Sequence, residues 1–172
     1  MRQPLLLTGP PAAGKSTTAL ALARSVPLAA MIDVDDIRHL VVAGHTAPWE
    51  GNEGRLQQQI GVENACDLAR RFRAAGIEVV LADFVTTATA ALYRRHLQDL
   101  QIIRFRLPLG EAYRRAQLRP IHLTEQEFED LYGFDAASNF PVDHVIDVAK
   151  LDFEGQVDAV RRLWSRSSTS MP

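Results

Sequence analysis

Eight residues near the amino terminus constrain the fold of this chain more than any other segment. Residues 9–16 read Gly-Pro-Pro-Ala-Ala-Gly-Lys-Ser, which matches the pattern G-x-x-x-x-G-K-[ST]. A short apolar run at 4–8 precedes them, and an Ala- and Leu-rich segment at 15–24 follows them. The run is typical of a buried strand, and the segment after it is typical of a helix. We therefore expect the eight residues to form the turn between a strand and a helix, the setting that gives this pattern its meaning.

In that setting the turn is predicted to bind phosphate. Its glycines let backbone N–H groups converge on phosphate oxygens, and the positive end of the following helix acts on the same place. Lys15 is predicted to reach the β- and γ-phosphates of a nucleoside triphosphate, and the Ser16 hydroxyl to ligate Mg²⁺. The residues predicted to contact the nucleotide are Gly9, Pro10, Pro11, Ala12, Ala13, Gly14, Lys15, Ser16 and Thr17.

The remaining chain alternates short apolar runs with helical segments. Four further runs are predicted to be strands, at 28–32, 77–81, 102–107 and 144–148. Helices are predicted at 15–24, from 35 or 36 to 42, at 55–75, 87–100, 110–119, after Thr124 and at 152–164. This alternation indicates an α/β fold, a five-stranded parallel sheet covered by helices on both faces. With 172 residues, we expect one domain over 1–166 and a disordered tail at 167–172.

Composition removes several classes of protein. The formal net charge is −2, so no general basic character points to nucleic acid or membrane surfaces. Cys66 is the single cysteine; an internal disulfide is impossible, and we expect a buried helical residue. No apolar stretch reaches the roughly 18 residues of a membrane span, and the run before Gly9 is too short for a secretory signal. A cytoplasmic protein is the resulting expectation.

A second motif follows the second predicted strand and carries a family resemblance. It reads Ile-Asp-Val-Asp-Asp-Ile-Arg at 32–38. Together with the glycine-rich turn it resembles the P-loop kinase group that contains shikimate kinase, adenylylsulfate kinase, chloramphenicol phosphotransferase and bacteriophage polynucleotide kinase. The resemblance implies a three-layer P-loop NTPase fold with a small lid, and ATP with Mg²⁺ as the nucleotide and metal. No base-reading motif is visible in the sequence, so the choice of ATP over GTP rests on the resemblance.

The resemblance implies roles for the acidic motif. Asp35 matches the position of the catalytic base that faces the acceptor hydroxyl, and Arg38 matches a residue that holds the substrate. A carboxylate at that position can take the hydroxyl proton, but Asp is also favoured as a helix N-cap, which is the alternative for Asp35. Asp33 is a candidate for holding a Mg²⁺-bound water or, alternatively, a turn residue at the strand end. Asp36 is interpreted as a carboxylate of the first helical turn, and a solvated helix face is the alternative for Arg38.

Three further residues are candidates for binding the acceptor. Asp83 ends the third predicted strand, at the edge where ligands bind in open α/β sheets. It is a candidate for contacting the acceptor or for reaching Mg²⁺ through water, and capping of the next helix with Thr86 or Thr87 is the alternative. His45 and Trp49 lie in the loop after the second helix, a region that often forms the acceptor pocket in the related enzymes. The alternative for Trp49 is a side chain packed on the core.

The lid is predicted around 115–135 by the same resemblance. Arg115 and Arg119 are four residues apart and share one helical face, where they are predicted to act catalytically on the transferring phosphate. Arg115 is also a candidate for contacting the nucleotide. The alternative is a plain solvated helix. Thr124 and Glu127 have the spacing of a capping box, which predicts a helix start.

Two departures from the family pattern argue against two of the known acceptors, adenylylsulfate and shikimate. Val34 stands where adenylylsulfate kinase has a glycine between two acidic residues, and the Gly-Gly turn of shikimate kinase is missing after the third predicted strand. The leading hypothesis is therefore an ATP-dependent kinase for another small hydroxyl compound: a sugar, an antibiotic or a metabolite. A 5′-hydroxyl polynucleotide kinase is the second hypothesis, although the chain has no dense basic run. A nucleotide-binding module without phosphotransfer is the third. The sequence contains no signal for the oligomeric state.

Overall fold

The computed structural model describes residues 1–118 and 123–166. The predicted tail at 167–172 and the predicted lid residue Arg119 lie outside this part of the chain. The strands are β1 (Leu5–Thr8), β2 (Ala29–Asp33), β3 (Glu78–Ala82), β4 (Gln101–Arg106) and β5 (His144–Asp147). The helices are α1 (Lys15–Arg24), α2 (Val34–Arg38), α3 (Gly51–Ala74), α4 (Thr87–His96), α5 (Leu109–Gln117), α6 (Glu125–Ala137) and α7 (Phe153–Arg166).

The five strands form one parallel sheet in the order β2-β3-β1-β4-β5. Alternation along β1 divides the core, because successive side chains of a strand point to opposite faces. Leu5 and Leu7 pack against α1, α5 and α7, whereas Leu6 packs against α3 and α4. The predicted α/β class, with a parallel sheet covered on both faces, is therefore confirmed.

Several boundaries differ from the sequence-based expectations. The second helix was predicted to reach residue 42, but α2 ends at Arg38. Leu40 and Val42 are exposed in the loop that follows, so no packing supports a longer helix there. The third helix begins at Gly51, four residues earlier than predicted. Cys66 is buried on α3 as expected, and burial raises the pKa of its thiol to about 12.

The parallel arrangement places the carboxyl ends of all five strands at one edge of the sheet. The glycine-rich turn follows β1 at this edge, α2 follows β2, and Asp83 follows β3. Ligands bind at this edge in open α/β sheets. No helix in the described part of the chain has the length and apolarity needed to cross a membrane.

Candidate active site

The glycine-rich turn takes its shape from three residues with positive φ. Gly9 has φ +140°, and a Cβ there would lie 2.6 Å from the Phe105 carbonyl oxygen. Gly14 adopts the left-handed conformation as the N-cap of α1. Ala12 has φ 61° without being glycine. Such strain in a non-glycine residue persists where the surrounding structure imposes it, and it clusters at functional sites.

Lys15 lies inside this turn. Its Nζ donates to the carbonyl oxygens of Gly9 at 2.9 Å and Pro10 at 3.0 Å. An ammonium group has three N–H donors, so these two bonds leave one more. Burial lowers the pKa of Lys15, while Asp35, Asp135, Asp83 and Asp33 oppose that shift. The first bond of α1 runs from Thr18 N–H to the Gly14 carbonyl, so the amides of Lys15 and Ser16 precede it and are available to an anion.

A residue far along the chain supports the turn, and sequence reasoning missed it. Gln156 of α7 is 3% exposed. Its Nε2 donates to the Ala13 carbonyl and to Thr18 Oγ1, both at 2.9 Å. A Cβ on Gly14 would lie 2.9 Å from the same Nε2. No local signal marks Gln156, since its partners lie 143 and 138 residues earlier.

Asp33 connects β2, α2 and the phosphate-binding turn. It is the N-cap of α2, and its Oδ1 accepts from the Asp35 amide at 3.2 Å. The alternative interpretation of Asp35 as the N-cap is therefore wrong. Burial raises the pKa of Asp33, and a hydrogen bond from the Ser16 side chain opposes that shift. The two residues predicted to serve the metal are thus neighbours.

Asp35 and Arg38 form an ion pair on α2. The Arg38 guanidinium is 8% exposed and its Nη2 donates to Asp35 Oδ1, while the Asp35 carboxylate is 61% exposed. Burial favours the protonated form of Asp35, but Arg38, Lys15 and His39 outweigh it and lower the pKa of this carboxyl. Asp35 is therefore an ionised carboxylate open to a ligand. The solvated alternative for Arg38 is wrong, because its side chain is buried.

Asp83 is buried and carries several hydrogen bonds. Its Oδ1 accepts from Arg38 Nη2 at 2.9 Å and from the Phe84 amide at 2.7 Å, and its Oδ2 accepts from the Tyr93 hydroxyl at 2.7 Å. With its side chain fully buried, direct contact with an acceptor is not supported by this geometry. Of the capping alternative, the Thr86 part is confirmed, since Thr86 caps α4 in a capping box with Thr89, but Asp83 takes no part in that cap. Asp83 instead anchors Arg38.

The loop after α2 brings one predicted residue near the site. His45 is exposed, and its ring centroid is 5.1 Å from that of His39, whose charge acts on Asp35. Trp49 is half-buried and belongs to neither core cluster. The core-packed alternative for Trp49 is therefore not supported, and its proposed contact with the acceptor remains a prediction.

Arg115 lies on α5 and bonds both to its own helix and to the loop after β5. Its Nε donates to Glu111 Oε1 at 2.9 Å, and its Nη2 donates to the Val148 carbonyl at 2.7 Å. This bond ties α5 to the loop after β5. Hydrogen bonds from Arg114 and Arg115 lower the pKa of Glu111 to about 2, so both cations have a fixed counter-charge.

One cavity of about 580 Å³ joins these groups. Its walls include the end of the phosphate-binding turn, residues 14–17, together with Asp35, Arg115 and Gln156. Cavities of a few hundred to a thousand Å³ are the usual size for small-molecule sites. Most of the predicted phosphate-binding residues and the predicted base therefore face a shared space.

Comparison with solved structures identifies this architecture. A sugar kinase from Janibacter sp. HTCC2649 superimposes with a TM-score of 0.74 at 14% identity, over 98% of this chain and 96% of that one. Shikimate kinases from Acinetobacter baumannii, in complex with shikimate, and from Aquifex aeolicus each give a TM-score of 0.65. Their identities are 20% and 15%, over 98% of this chain and 96% and 100% of theirs. The chain has the small P-loop kinase fold. No protein-family model and no curated protein sequence matches it.

The P-loop kinase fold accounts for the grouping of the predicted residues. Lys15, Ser16, Asp33, Asp35 and Arg38 come together at the carboxyl edge of β1 and β2, as the sequence predicted. Arg115 joins them from α5 across the cavity. Thr124 is the N-cap of α6 and forms the predicted capping box with Glu127, while the extent of a mobile lid remains a prediction.

Proposed function

We propose that this chain is an ATP-dependent phosphotransferase that uses Mg²⁺ and transfers the γ-phosphate to a hydroxyl of a small molecule. The observation that carries the proposal is the shared cavity. The phosphate-binding turn and the exposed Asp35 carboxylate face the same space. A site built for nucleotide binding alone has no need of an ionised carboxylate opposite the phosphates.

The phosphate side of the site works by position and charge. The turn amides hold the phosphate oxygens, and the remaining donor of Lys15 serves the β- and γ-phosphates. Gln156 keeps the turn in its curled form by holding the Ala13 carbonyl. We propose that Arg115, which lines the same cavity, contacts the nucleotide and neutralises charge on the transferring phosphate. In phosphoryl transfer such fixed groups supply most of the catalysis, since the reaction needs alignment and charge neutralisation.

The acceptor side of the site centres on Asp35. Its ionised carboxylate accepts the hydrogen bond of the incoming hydroxyl and then its proton. The acceptor oxygen forms a bond to the γ-phosphorus while the bond to the ADP oxygen breaks. Arg38 orients the carboxylate through their ion pair.

The residues beside Lys15 fit a magnesium ion. Ser16 and Asp33 offer hard oxygen donors next to the phosphate-binding turn. No group of three or more His, Cys, Asp or Glu residues suited to a metal occurs in the described residues, which agrees with an ion held largely by phosphates and water. Such an ion would supply positive charge to the β- and γ-phosphates. We propose that Ser16 ligates it directly and that Asp33 holds one of its waters.

Charge around the base favours a small acceptor over a nucleic acid. Asp33, Asp36 and Asp83 lie close to Asp35, so the carboxylates outnumber the nearby cations Arg38 and Lys15. Such a cluster repels a polyanion, whereas nucleic-acid sites are positively charged. A 5′-hydroxyl oligonucleotide is therefore one arm of the test rather than the leading acceptor.

The test is ADP release with a panel of sugars, hydroxyl-bearing antibiotics, other hydroxyl metabolites and a 5′-hydroxyl oligonucleotide. With an active acceptor, Asp35→Asn is expected to lower turnover by about 10²- to 10⁴-fold while leaving ATP affinity within about threefold. Asp36→Asn is the matched control, because this neighbouring carboxylate is exposed and lacks the Arg38 bond. Lys15→Met is expected to weaken ATP binding itself.

Three outcomes contradict parts of the proposal. Failure of the wild-type protein to bind ATP with Mg²⁺ would remove the phosphate site. Tight ATP binding without phosphate transfer to any hydroxyl of the panel would support the binding-module hypothesis instead. Equal turnover of Asp35→Asn and the wild type would remove Asp35 from the mechanism.

A further inference from the structure

Helix α3 has one side in the core and one side at the surface. Its inner side is buried against the sheet through residues such as Val62 and Ala65. On the outer side, Leu56, Ile60 and Leu68 are 54%, 44% and 40% exposed. Single exposed apolar residues are common on protein surfaces. These three, however, are spaced by four and eight residues, so they share one side of the helix and form an apolar stripe.

The stripe ends in two opposite charges. Glu53 lies three residues before Leu56 and Arg71 lies three residues after Leu68, and both charged side chains are exposed. They are eighteen residues apart, which is five turns of helix at about 3.6 residues per turn, so they lie at the same angle around α3. We call the surface formed by the stripe and these two charges the outer face of α3.

The two charges at the ends of the outer face differ from the other charges of α3. Each of the others has a partner within the chain: Arg55 bonds Asn52, Glu63 bonds Gln59, Arg70 bonds Asp67, and Arg73 bonds Asp99. Among the residues that the structure describes, no hydrogen bond or ion pair involves the side chain of Glu53 or Arg71. An unpaired acid and an unpaired base are therefore available to a partner.

The order of residues along the outer face is complementary to itself when it is reversed. Val62 lies midway between Glu53 and Arg71, and also midway between Leu56 and Leu68. A second copy of α3, laid antiparallel with the two-fold axis at the height of Val62, brings each Leu56 opposite Leu68 and each Glu53 opposite Arg71. A parallel copy would bring like charges together instead. Complementarity to the same surface is the property of a two-fold symmetric contact.

We propose that the outer face of α3 is the contact surface of a symmetric homodimer, formed by antiparallel pairing of α3 with α3 of a second copy. Ile60 and Asn64 lie on either side of the two-fold axis, so Ile60 contributes twice to the centre of the interface. No residue of the outer face lines the cavity of the candidate active site. The inference therefore does not depend on the proposed function.

The length of the outer face sets the expected strength of association. Its two ends are about 27 Å apart, since an α-helix rises about 1.5 Å per residue. We place a contact made by one pair of helices at the small end of specific protein interfaces, below about 1,200 Å². We therefore expect a dissociation constant on the order of 10 μM, so that the dimer forms as the protein concentration rises.

The first test charges the centre of the interface. Analytical ultracentrifugation of the full chain, over concentrations that span the expected dissociation constant, gives the monomer–dimer equilibrium. Ile60→Glu is expected to weaken association by about tenfold or more, because central contacts carry most of the binding energy. Leu20→Glu is the matched control: Leu20 is 39% exposed on α1, which covers the other face of the sheet, and association should stay within about twofold of the wild type. Circular dichroism checks that both variants are folded.

The second test reverses the end charges and reports the direction of pairing. Glu53→Arg alone and Arg71→Glu alone each place like charges at both symmetric contacts, so each is expected to weaken association by about fivefold at low salt. The double variant Glu53→Arg, Arg71→Glu restores opposite charges and should return to within about twofold of the wild type. An equimolar mixture of the two single variants should also associate, since a mixed pair has opposite charges at both contacts.

Each outcome decides for or against the homodimer. A wild-type chain that stays monomeric at every concentration overturns the inference, even if the outer face binds another protein or lipid vesicles. A dimer that Ile60→Glu weakens no more than Leu20→Glu also overturns it, because the contact then lies elsewhere. Single charge reversals without effect, or a double variant that is not restored, overturn the antiparallel pairing. Phosphate transfer is measured separately, and its failure leaves this inference standing.

Discussion

Replacing Gln156 by leucine tests whether α7 holds the phosphate-binding turn in its curled form. The substitution fills the same space with an apolar side chain of similar size but removes Nε2, which donates to the Ala13 carbonyl and Thr18 Oγ1. The lost bond to Thr18 Oγ1 costs about 0.5–1.5 kcal/mol, and the loss of the donor to the buried Ala13 carbonyl costs about 1–3 kcal/mol. We therefore expect a loss of about 2–4 kcal/mol in the free energy of unfolding.

The same change should weaken nucleotide binding, because the curl of the turn orients its amides. We take half of the lost free energy to destabilise the form of the turn that binds nucleotide. Triphosphate affinity then drops about tenfold for each 1.4 kcal/mol of that half. Urea unfolding gives the stability, and titration with ATP and Mg²⁺ gives the affinity. The matched control is Gln59→Leu on α3, an exposed glutamine that bonds Glu63, for which we expect a stability change within about 0.5 kcal/mol. Equal changes in stability and in ATP affinity for the two variants would refute the reasoning.

Two further predictions concern the backbone and the cysteine. Gly9→Ala places a Cβ 2.6 Å from the Phe105 carbonyl oxygen, whereas Gly76→Ala, also at positive φ, meets nothing within 4 Å. Urea unfolding should show a cost of about 1–2 kcal/mol for Gly76→Ala and at least about 1 kcal/mol more for Gly9→Ala; equal costs would contradict the crowding at Phe105. Since the pKa of the buried Cys66 is about 12, iodoacetamide should label it at mildly alkaline pH only after denaturation. Rapid labelling of the native protein would show that α3 opens readily.

Local patterns were sufficient for much of the fold. The five apolar runs lie at the five strands, and the glycine-rich motif lies between β1 and α1, because each pattern is set by residues close together in the chain. The helix after Thr124 was predicted for the same reason, since a capping box depends on residues three apart. The end of α2 was predicted poorly, because apolar residues after Arg38 continue the pattern but find nothing to pack against.

The roles of side chains at the site were likewise predictable only where they depend on local sequence. Asp35 was predicted as a site residue from its motif. The alternative that it caps α2 was wrong because Asp33 is the N-cap, and which residue caps the helix depends on where the chain leaves the strand. Asp83 was predicted at the correct edge of the sheet, but its burial and its bonds to Arg38 and Tyr93 could not be predicted. These bonds depend on how α2 and α4 pack against β3.

The sequence by itself determined the phosphate-binding turn, the alternation of strands and helices, and the presence of carboxylates after β2. Glycine spacing and residue periodicity act on neighbouring backbone atoms, so they can be read from the chain. The tertiary structure alone decided that Gln156 reaches Ala13 across 143 residues and that Asp83 lies behind Arg38 rather than in the cavity. Contacts of this kind arise only when separate elements pack together, and no local pattern encodes their geometry.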